Sequence, residues 1–253
     1  MTPDAGVQRD MSPERDFPAP VPVARRYAIL ASPRSGSNLL GRALFDTGLA
    51  GDPLEWLHPG MIAVERERTG RGADLRMDEF LRIMERRRTS PNGVFGMKLH
   101  YSQLLNACGK QDPAEAMTRY LRRMDRLVWI RRRDRIAQGV SLALARETKI
   151  WVAEDPRFQR DADAAVDPHA CVAALAAVSW HDNGWDTLLN AAGLEALEVW
   201  YEDLVARYEH EVRRVLDWLD LPDAPVPAPP IQRQGGEVNE RLRREVLAYL
   251  GVR

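Results

Sequence analysis

Short apolar runs alternate along the chain with longer segments in which apolar residues recur at helical spacing. The runs predict four buried strands, at residues 27–31, 93–98, 127–130 and 197–201. The helical spacing predicts helices at residues 39–45, 77–88, 113–123, 136–146, 169–191, 208–219 and 238–250. Strands separated by such helices are typical of an α/β fold with a parallel sheet. We therefore expect a three-layer α/β/α architecture, with ligands bound at the carboxyl ends of the strands.

The N-terminal 24 residues lack this pattern. They are polar and rich in proline, and such a segment buries too little apolar surface to fold by itself. We expect residues 1–24 to be a disordered or loosely attached tail and residues 25–253 to form a single domain.

The first apolar run ends in a loop of small and polar residues, Ser32-Pro33-Arg34-Ser35-Gly36-Ser37-Asn38. A buried strand, a tight loop and a helix N-terminus in succession bring backbone N–H groups and the positive helix end to one point. Arg34 adds a positive charge, and the serine and asparagine side chains add donors. The pattern G-x-x-x-x-G-K-[ST] of a Walker A motif is absent from this loop. The loop predicts a phosphate or sulfate site; the alternative is an ordinary strand–turn–helix connection with a serine cap.

A cluster of arginines follows the third apolar run, in the order Arg131-Arg132-Arg133-Asp134-Arg135. Runs of arginine on a surface are usually just solvated, which is the alternative here. At the carboxyl end of a buried strand, however, Arg133 and Ser141 would grip one phosphate through charge-assisted and hydroxyl hydrogen bonds. Two anion sites on neighbouring strand ends predict a ligand with two separated phosphate groups.

Composition and charge narrow the classes of function. A net charge of −1 over 253 residues excludes general polyanion binding, so we expect no nucleic-acid partner. Two cysteines, Cys108 and Cys171, make no disulfide or metal framework, which favours a reducing cytoplasm. The apolar runs are shorter than a membrane span and the N-terminus has no signal-peptide pattern, so we expect no membrane association.

Four motifs in order resemble the cofactor landmarks of sulfotransferases that use 3′-phosphoadenosine 5′-phosphosulfate (PAPS). They are the first loop, the Arg133…Ser141 spacing, Tyr201-Glu202-Asp203-Leu204 and Arg233-Gln234-Gly235-Gly236. Within that superfamily the chain most resembles the bacterial trehalose-sulfotransferase-like branch. There the first loop carries Arg-Ser-Gly-Ser, a Gly-x-Pro-x-Glu segment follows, here residues 51–55, and an Arg-Arg-Asp-(Arg/Lys) run precedes the serine. The resemblance covers nearly all of residues 27–250.

This resemblance implies a P-loop-NTPase-like sulfotransferase fold and a role for each motif. The residues that would wrap the 5′-phosphosulfate of PAPS are Arg34, Ser35, Gly36, Ser37 and Asn38. Those that would hold the 3′-phosphate are Arg133 and Ser141, with Arg233 and Gly235 closing over it. Tyr201 would lie near the adenine, or else be an ordinary core tyrosine at a strand end. The product would be adenosine 3′,5′-bisphosphate, no metal would be needed, and in this branch a homodimer is expected.

Sulfuryl transfer requires a base for the acceptor proton, and two residues compete for that role. Glu55 occupies the position of the glutamate proposed as base in the trehalose-type branch, and we expect the adjacent Trp56 to raise its pKa. His100 matches a Lys-x-His strand end that supplies the base in the cytosolic branch, and histidine suits proton transfer near neutral pH. Lys98 would assist at the sulfuryl group or be merely solvated. The remaining histidines have no comparable context: His58, His169, His181 and His210.

The acceptor is the open part of this interpretation. The residues expected to line its site, 54–61, 101–105 and 148–158, mix aromatic and polar groups. A sugar, a nucleoside or a phenolic metabolite would each fit as a small-molecule acceptor. Two other functions stay open, a kinase-like phosphotransferase on the same sheet and a non-catalytic relative that binds PAPS.

Overall fold

The computed structural model describes residues 5–109, 112–151, 166–229 and 237–251. Within them, the strands are β1 Arg25–Ala31, β2 Val94–His100, β3 Arg126–Arg131 and β4 Leu197–Trp200. The helices are α1 Ala5–Asp10, α2 Ser37–Asp46, α3 Pro59–Thr69, α4 Met77–Arg88, α5 Tyr101–Cys108, α6 Pro113–Leu121, α7 Arg135–Thr148, α8 Pro168–Ala192, α9 Tyr201–Ala206, α10 Tyr208–Trp218 and α11 Glu237–Tyr249. Two 3₁₀ turns, Pro13–Arg15 and Gly72–Asp74, complete the regular structure.

Apolar side chains cover both faces of the sheet. On β1, Tyr27, Ile29 and Ala31 face one core while Ala28 and Leu30 face the other, and all five are fully buried. The first core packs against α2 and α10, and the second against α3, α4, α5, α6 and α8. A strand that is buried on both sides needs helices on both sides. The predicted three-layer α/β/α architecture with a parallel sheet is therefore confirmed.

The strand order places the ends of β1 and β3 side by side. All strands are parallel, in the order β2-β1-β3-β4. Ala31, the last residue of β1, pairs with His100 of β2 and with Ile130 of β3, so the three carboxyl ends lie at one edge. The chain leaves β1 to one side for β2 and returns to the other side for β3. Such a topological switch point leaves a crevice between the loops after β1 and β3.

The long periodic segments give the most accurate predictions, and the short helices after strands were missed. The helix predicted at residues 77–88 is α4 with the same bounds. The fourth strand ends one residue earlier than predicted, because Tyr201 already begins α9. Helix α5 starts directly after β2, where the Gln103 side chain accepts a hydrogen bond from the His100 N–H. Helix α3 was also not predicted, because its arginines and glutamates obscure the helical period.

Residues 5–24 differ from the expectation of a loosely attached tail. Met11 is 2% exposed and belongs to the core that contains α3 and α4. The Arg15 guanidinium donates to both carboxylate oxygens of Asp52, at 3.0 and 2.5 Å. Arg88 donates to the Ser12 carbonyl at 2.9 Å. These contacts attach the segment to the rest of the protein, whereas the single domain over residues 25–253 stays a prediction.

The longest helix, α8, has 25 residues and carries His181, Asp182 and Asp186. Across the described ranges, no helix is both long enough and apolar enough to cross a bilayer.

Candidate active site

The loop between β1 and α2 forms a concave turn of backbone. Arg34 and Gly36 have φ angles of 63° and 92°, in the left-handed region, a conformation found in the concave backbone turns that bind anions. A Cβ atom at Gly36 would lie 2.4 Å from Cδ2 of Tyr201, so only glycine fits beneath that ring. Ser35 is fully buried, and its Oγ has no hydrogen-bond partner among the described residues. A buried hydroxyl beside a helix N-terminus has the donor chemistry that an anion requires.

Two helices hold this loop in place. Gln138 of α7 is fully buried and donates to Ser32 Oγ at 2.9 Å and to the Pro33 carbonyl at 2.8 Å. The Trp185 indole of α8 donates to the Ala31 carbonyl at 3.0 Å. Sequence reasoning missed Gln138, although its spacing of three residues from Ser141 places both on one face of a helix.

Arg34 joins the two predicted anion sites. Its Nε donates to Ser141 Oγ at 3.0 Å, and its Nη1 donates to the Trp151 carbonyl at 2.6 Å. Burial, and then the charge of Arg132, lower the pKa of Arg34 to about 10. The guanidinium stays cationic at neutral pH in a position where a neighbouring cation disfavours its charge, and a bound anion would relieve that repulsion.

A cleft of about 290 Å³ opens between this loop, α7 and α9. The residues that line it include Arg34, Gly36, Ser37, Asn38, Arg132, Ser141 and Tyr201. The Arg132 guanidinium stacks 4.8 Å from the centre of the Tyr201 ring. The structure thus brings most of the predicted anion-binding residues to one cleft at the switch point, with Arg132 in addition.

Arg133 is not among the residues that line the cleft. Its guanidinium forms a two-pronged pair with Asp203, at 3.0 and 2.6 Å, and lies 4.8 Å from the centre of the Trp200 ring. Arg131 also stacks on Trp200, whereas Arg132 stacks on Tyr201. Successive side chains of an extended segment point to opposite sides, so neighbouring arginines diverge. Spacing to Ser141 selected Arg133, but the structure places Arg132 at the cleft.

The predicted Arg233 and Gly235 lie outside the described residues. The described residues on either side of them, Pro229, Asn239 and Glu240, line the same cleft. The prediction that this segment closes over a ligand therefore stays a prediction.

Glu55 lies in a cluster of polar side chains beside the end of β2. Its carboxylate is 3.1 Å from Lys98 Nζ and 3.7 Å from His100 Nδ1, and it accepts a 2.7 Å hydrogen bond from Gln103. The backbone positions it, because the Lys98 N–H donates to the Leu54 carbonyl at 2.8 Å. The lining of the cleft does not include Glu55, Lys98 or His100. Lys98 nevertheless donates to the side chain of Asn38, and Asn38 does line the cleft.

The pKa of Glu55 is shifted in the direction opposite to the prediction. Burial by itself would raise the pKa of this carboxyl group, but His100, Lys98 and Gln103 together hold it well below its usual range. Trp56 is fully buried and its indole donates to the Gly96 carbonyl at 3.1 Å. The expectation that Trp56 raises the pKa of Glu55 is therefore wrong, because the neighbouring donors outweigh desolvation.

Burial shifts the pKa of the two imidazoles that face each other here, His100 and His181. Burial lowers the pKa of His100 even though the Glu55 carboxylate opposes the shift. Burial and then His100 lower the pKa of His181 to about 4. The rings of the two residues are 5.8 Å apart in an edge-to-face arrangement. Sequence reasoning gave His181 no role, because only the fold of α8 over the end of β2 brings it to His100.

Known proteins similar to this chain were found by sequence and by structure. A family model described as Stf0 sulphotransferase matches residues 26–245. Trehalose 2-sulfotransferase of Mycobacterium tuberculosis (strain ATCC 35801 / TMC 107 / Erdman) is 29% identical over 246 residues, 84% of this chain and 91% of that protein. That of Mycolicibacterium smegmatis (strain ATCC 700084 / mc(2)155) is 28% identical over 256 residues, 87% of this chain and 94% of that protein. A solved sulfotransferase from Alicyclobacillus acidocaldarius covers 92% of this chain and 97% of its own, with a TM-score of 0.47 and 12% identity.

Proposed function

The chain belongs to the Stf0 sulphotransferase family, whose model matches residues 26–245, and we propose that it transfers a sulfuryl group from PAPS to a hydroxyl group of a sugar. The resemblance to the trehalose-sulfotransferase-like branch is confirmed by the family match and by the two trehalose 2-sulfotransferases. Those relatives support a sugar as the acceptor class. The choice of donor, the roles of residues, a homodimer and a cytoplasmic location stay part of the proposal.

One observation supports the proposal most: cationic, hydroxyl and amide side chains line one cleft at the switch point of the sheet. The buried Ser35 hydroxyl and the turn that only Gly36 can form fit a phosphate or sulfate group. Arg34 adds a cation to that group, Arg132 and Ser141 fit a second negative charge in the same cleft, and Tyr201 offers an aromatic ring for the adenine. These groups match the chemistry of a nucleotide that carries two separate anionic groups.

The activated phosphosulfate supplies the group that is transferred, and the residues of the chain bind, orient and accept a proton. We assign Arg34, Ser35, Gly36, Ser37 and Asn38 to the 5′-phosphosulfate. Arg34 and the loop N–H groups would stabilise negative charge on the leaving phosphate. Arg132 and Ser141 are assigned to the 3′-phosphate, and Arg133 to that group only if its pair with Asp203 opens.

Glu55 is our choice for the base. Its carboxylate is ionised and lies beside Lys98 and His100 at the end of β2, so it can accept the acceptor proton, although its lowered pKa makes it a weaker base than an ordinary carboxylate. The bond that forms joins the acceptor oxygen to sulfur, the bond that breaks joins sulfur to the bridging oxygen, and the acceptor proton moves to the Glu55 carboxylate. Lys98 contacts both Glu55 and Asn38, so it connects the base to the anion loop. His100, 3.7 Å from Glu55, is the second candidate for the base.

Thermal unfolding with two nucleotides tests the donor. Adenosine 3′,5′-bisphosphate at about 100 times its Kd should stabilise the protein by roughly 2.7 kcal/mol through mass action, and ATP with magnesium should have little effect. Stabilisation by ATP and magnesium alone would overturn the proposal in favour of a kinase-like phosphotransferase. Stabilisation by adenosine 3′,5′-bisphosphate without transfer from PAPS to any acceptor would indicate a non-catalytic relative.

A further inference from the structure

We propose, resting on the function above, that Tyr101, Trp180 and His181 form an acceptor subsite in which a sugar ring packs against the Trp180 indole beside Glu55. Trp180 would then determine how tightly the acceptor binds. The relatives name a sugar acceptor but assign no residue to it. From the sequence, Tyr101 and Glu55 were expected in the acceptor site, but Trp180 and His181 of α8 were not.

The position of α8 brings these residues to the edge of the sheet where the other groups lie. The Trp185 indole is bonded to the carbonyl of Ala31, the last residue of β1. His181 lies one helical turn earlier, and its ring contacts His100 at the end of β2. His100 in turn lies 3.7 Å from the Glu55 carboxylate. A continuous row of side chains therefore leads from the proposed base to Trp180.

Trp180 is a large aromatic side chain that is both exposed and fixed. It is 47% exposed, and its ring packs edge-to-face against Tyr101 and His181, each at 5.1 Å. Tyr101 is itself held by Trp185, at 5.4 Å, and by Gly184, where a Cβ would lie 2.6 Å from the tyrosine ring. An apolar surface that is already rigid loses little entropy when a ligand packs on it.

Polar atoms in the same cluster lack partners. His181 is 7% exposed, and neither its Nδ1 nor the Nε2 of His100 has a hydrogen-bond partner among the described residues. Buried polar atoms are nearly always hydrogen-bonded, so both need an explanation. A sugar hydroxyl both donates and accepts, so it would satisfy an imidazole nitrogen in either tautomer. Aromatic surface with a few convergent polar groups is the usual composition of a small-molecule site.

The test measures sugar binding directly, with trehalose and glucose as probes and with the protein saturated by adenosine 3′,5′-bisphosphate. Trp180→Ala removes the packing surface and Trp180→Phe restores part of it. Tyr249→Ala is the matched control, because Tyr249 is an exposed aromatic residue (50%) on α11, where it contacts His169. Isothermal titration gives the sugar and nucleotide affinities, and thermal unfolding confirms that each variant is folded.

We expect Trp180→Ala to weaken sugar binding, and to raise KM for the sugar, about 3- to 10-fold. Trp180→Phe should fall between Trp180→Ala and the wild type, while Tyr249→Ala and all nucleotide affinities should be unchanged. If the wild type binds a sugar and Trp180→Ala binds it equally well, the subsite is wrong and the proposed function stands. If the wild type binds the nucleotide but neither sugar, the subsite and the sugar acceptor are both wrong. If the nucleotide does not bind, the proposed function fails first.

Discussion

Asp52 and Glu55 are carboxylates three residues apart, and the fold treats them in opposite ways. Asp52 is buried, with 1% of its side chain exposed. It pairs with Arg88, which is also 1% exposed, and with Arg15. Glu55 remains 23% exposed, and it is surrounded by an ammonium, an amide and an imidazole. Both carboxylates have close cationic partners, so ion pairing alone does not distinguish them.

The two carboxylates differ in their exposure to solvent and in the segments to which their ion-pair partners connect them. Arg15 and Arg88 connect Asp52 to the N-terminal segment, through Ser12 and Asp16, and leave no path for a ligand. The partners of Glu55 lead instead to the anion loop, through Lys98 and Asn38, and to α8, through His100 and His181. A buried pair of the first kind keeps a structure specific, whereas the second kind holds a carboxylate ionised at an accessible site. We therefore expect Asp52 to affect stability and Glu55 to affect turnover.

The largest expected effect is the loss of turnover in Glu55→Gln. The amide retains the size of the side chain but cannot accept the proton, so the rate should fall about 10²- to 10⁴-fold. Binding of adenosine 3′,5′-bisphosphate should remain near the wild-type value, because Lys98 retains its contact with Asn38. Steady-state rates with labelled PAPS and nucleotide titrations measure the two quantities.

His100→Asn is the companion variant. If the imidazole is the base, this variant loses turnover and Glu55→Gln retains it. Full turnover in both variants contradicts the assignment of a base to this cluster.

Asp52→Asn should destabilise the protein without affecting the chemistry. It removes the carboxylate 2.7 Å from the buried Arg88, and breaking a buried ion pair costs about 3–5 kcal/mol. The free energy of unfolding in urea measures this loss, and turnover of the folded variant should change less than threefold. Glu79→Gln is the control, since Glu79 pairs with Arg71 at the surface. If Asp52→Asn lowers the free energy of unfolding no more than Glu79→Gln does, the buried ion pair of Asp52 does not stabilise the protein as proposed.

Arg132 and Arg133 repeat the contrast at the end of β3, with a smaller expected effect. Arg132→Met should weaken binding of adenosine 3′,5′-bisphosphate about 10- to 100-fold, because it removes a charge at the cleft. Arg133→Met should change that affinity less than threefold, because its guanidinium is paired with Asp203. Titration calorimetry on both variants measures the nucleotide affinities. A larger loss of affinity in Arg133→Met than in Arg132→Met would support Arg133, the residue chosen from the sequence.

The smallest expected effect is the pH dependence that His181 contributes to stability. Its pKa is about 4 in the folded protein and 6.5 in the unfolded chain, so between these values the unfolded chain binds more protons. The contribution of the neutral His181 to the free energy of unfolding is fully present above pH 6.5, and it is lost as the pH falls toward 4. His181→Gln should reduce this fall by about 1–2 kcal/mol, measured by urea unfolding at pH 7 and pH 4.5. An unchanged slope would show that His181 is protonated normally.

The order of the strands and long helices and the strand–loop–helix connection that holds Arg34 were predictable because their signals are local. An apolar run, a loop with Arg34 and Gly36 and a helical period lie within 20 residues of each other. Arg132 was not selected from the sequence. Neighbouring side chains of an extended segment point to opposite sides, and the sequence does not show which of the two sides faces the cleft. The pKa of Glu55 and the contact of His181 with His100 depend on segments from distant parts of the sequence, which only the fold brings together.

The most direct test is transfer of radiolabelled sulfate from PAPS to trehalose and to glucose, with the wild type and with Glu55→Gln at equal nucleotide saturation. We predict that the wild type forms a sulfated sugar together with an equal amount of adenosine 3′,5′-bisphosphate, and that Glu55→Gln forms almost none. A wild type that binds PAPS and transfers no label to either sugar would contradict the proposed sugar sulfotransfer, and a fully active Glu55→Gln would contradict the role of its carboxylate.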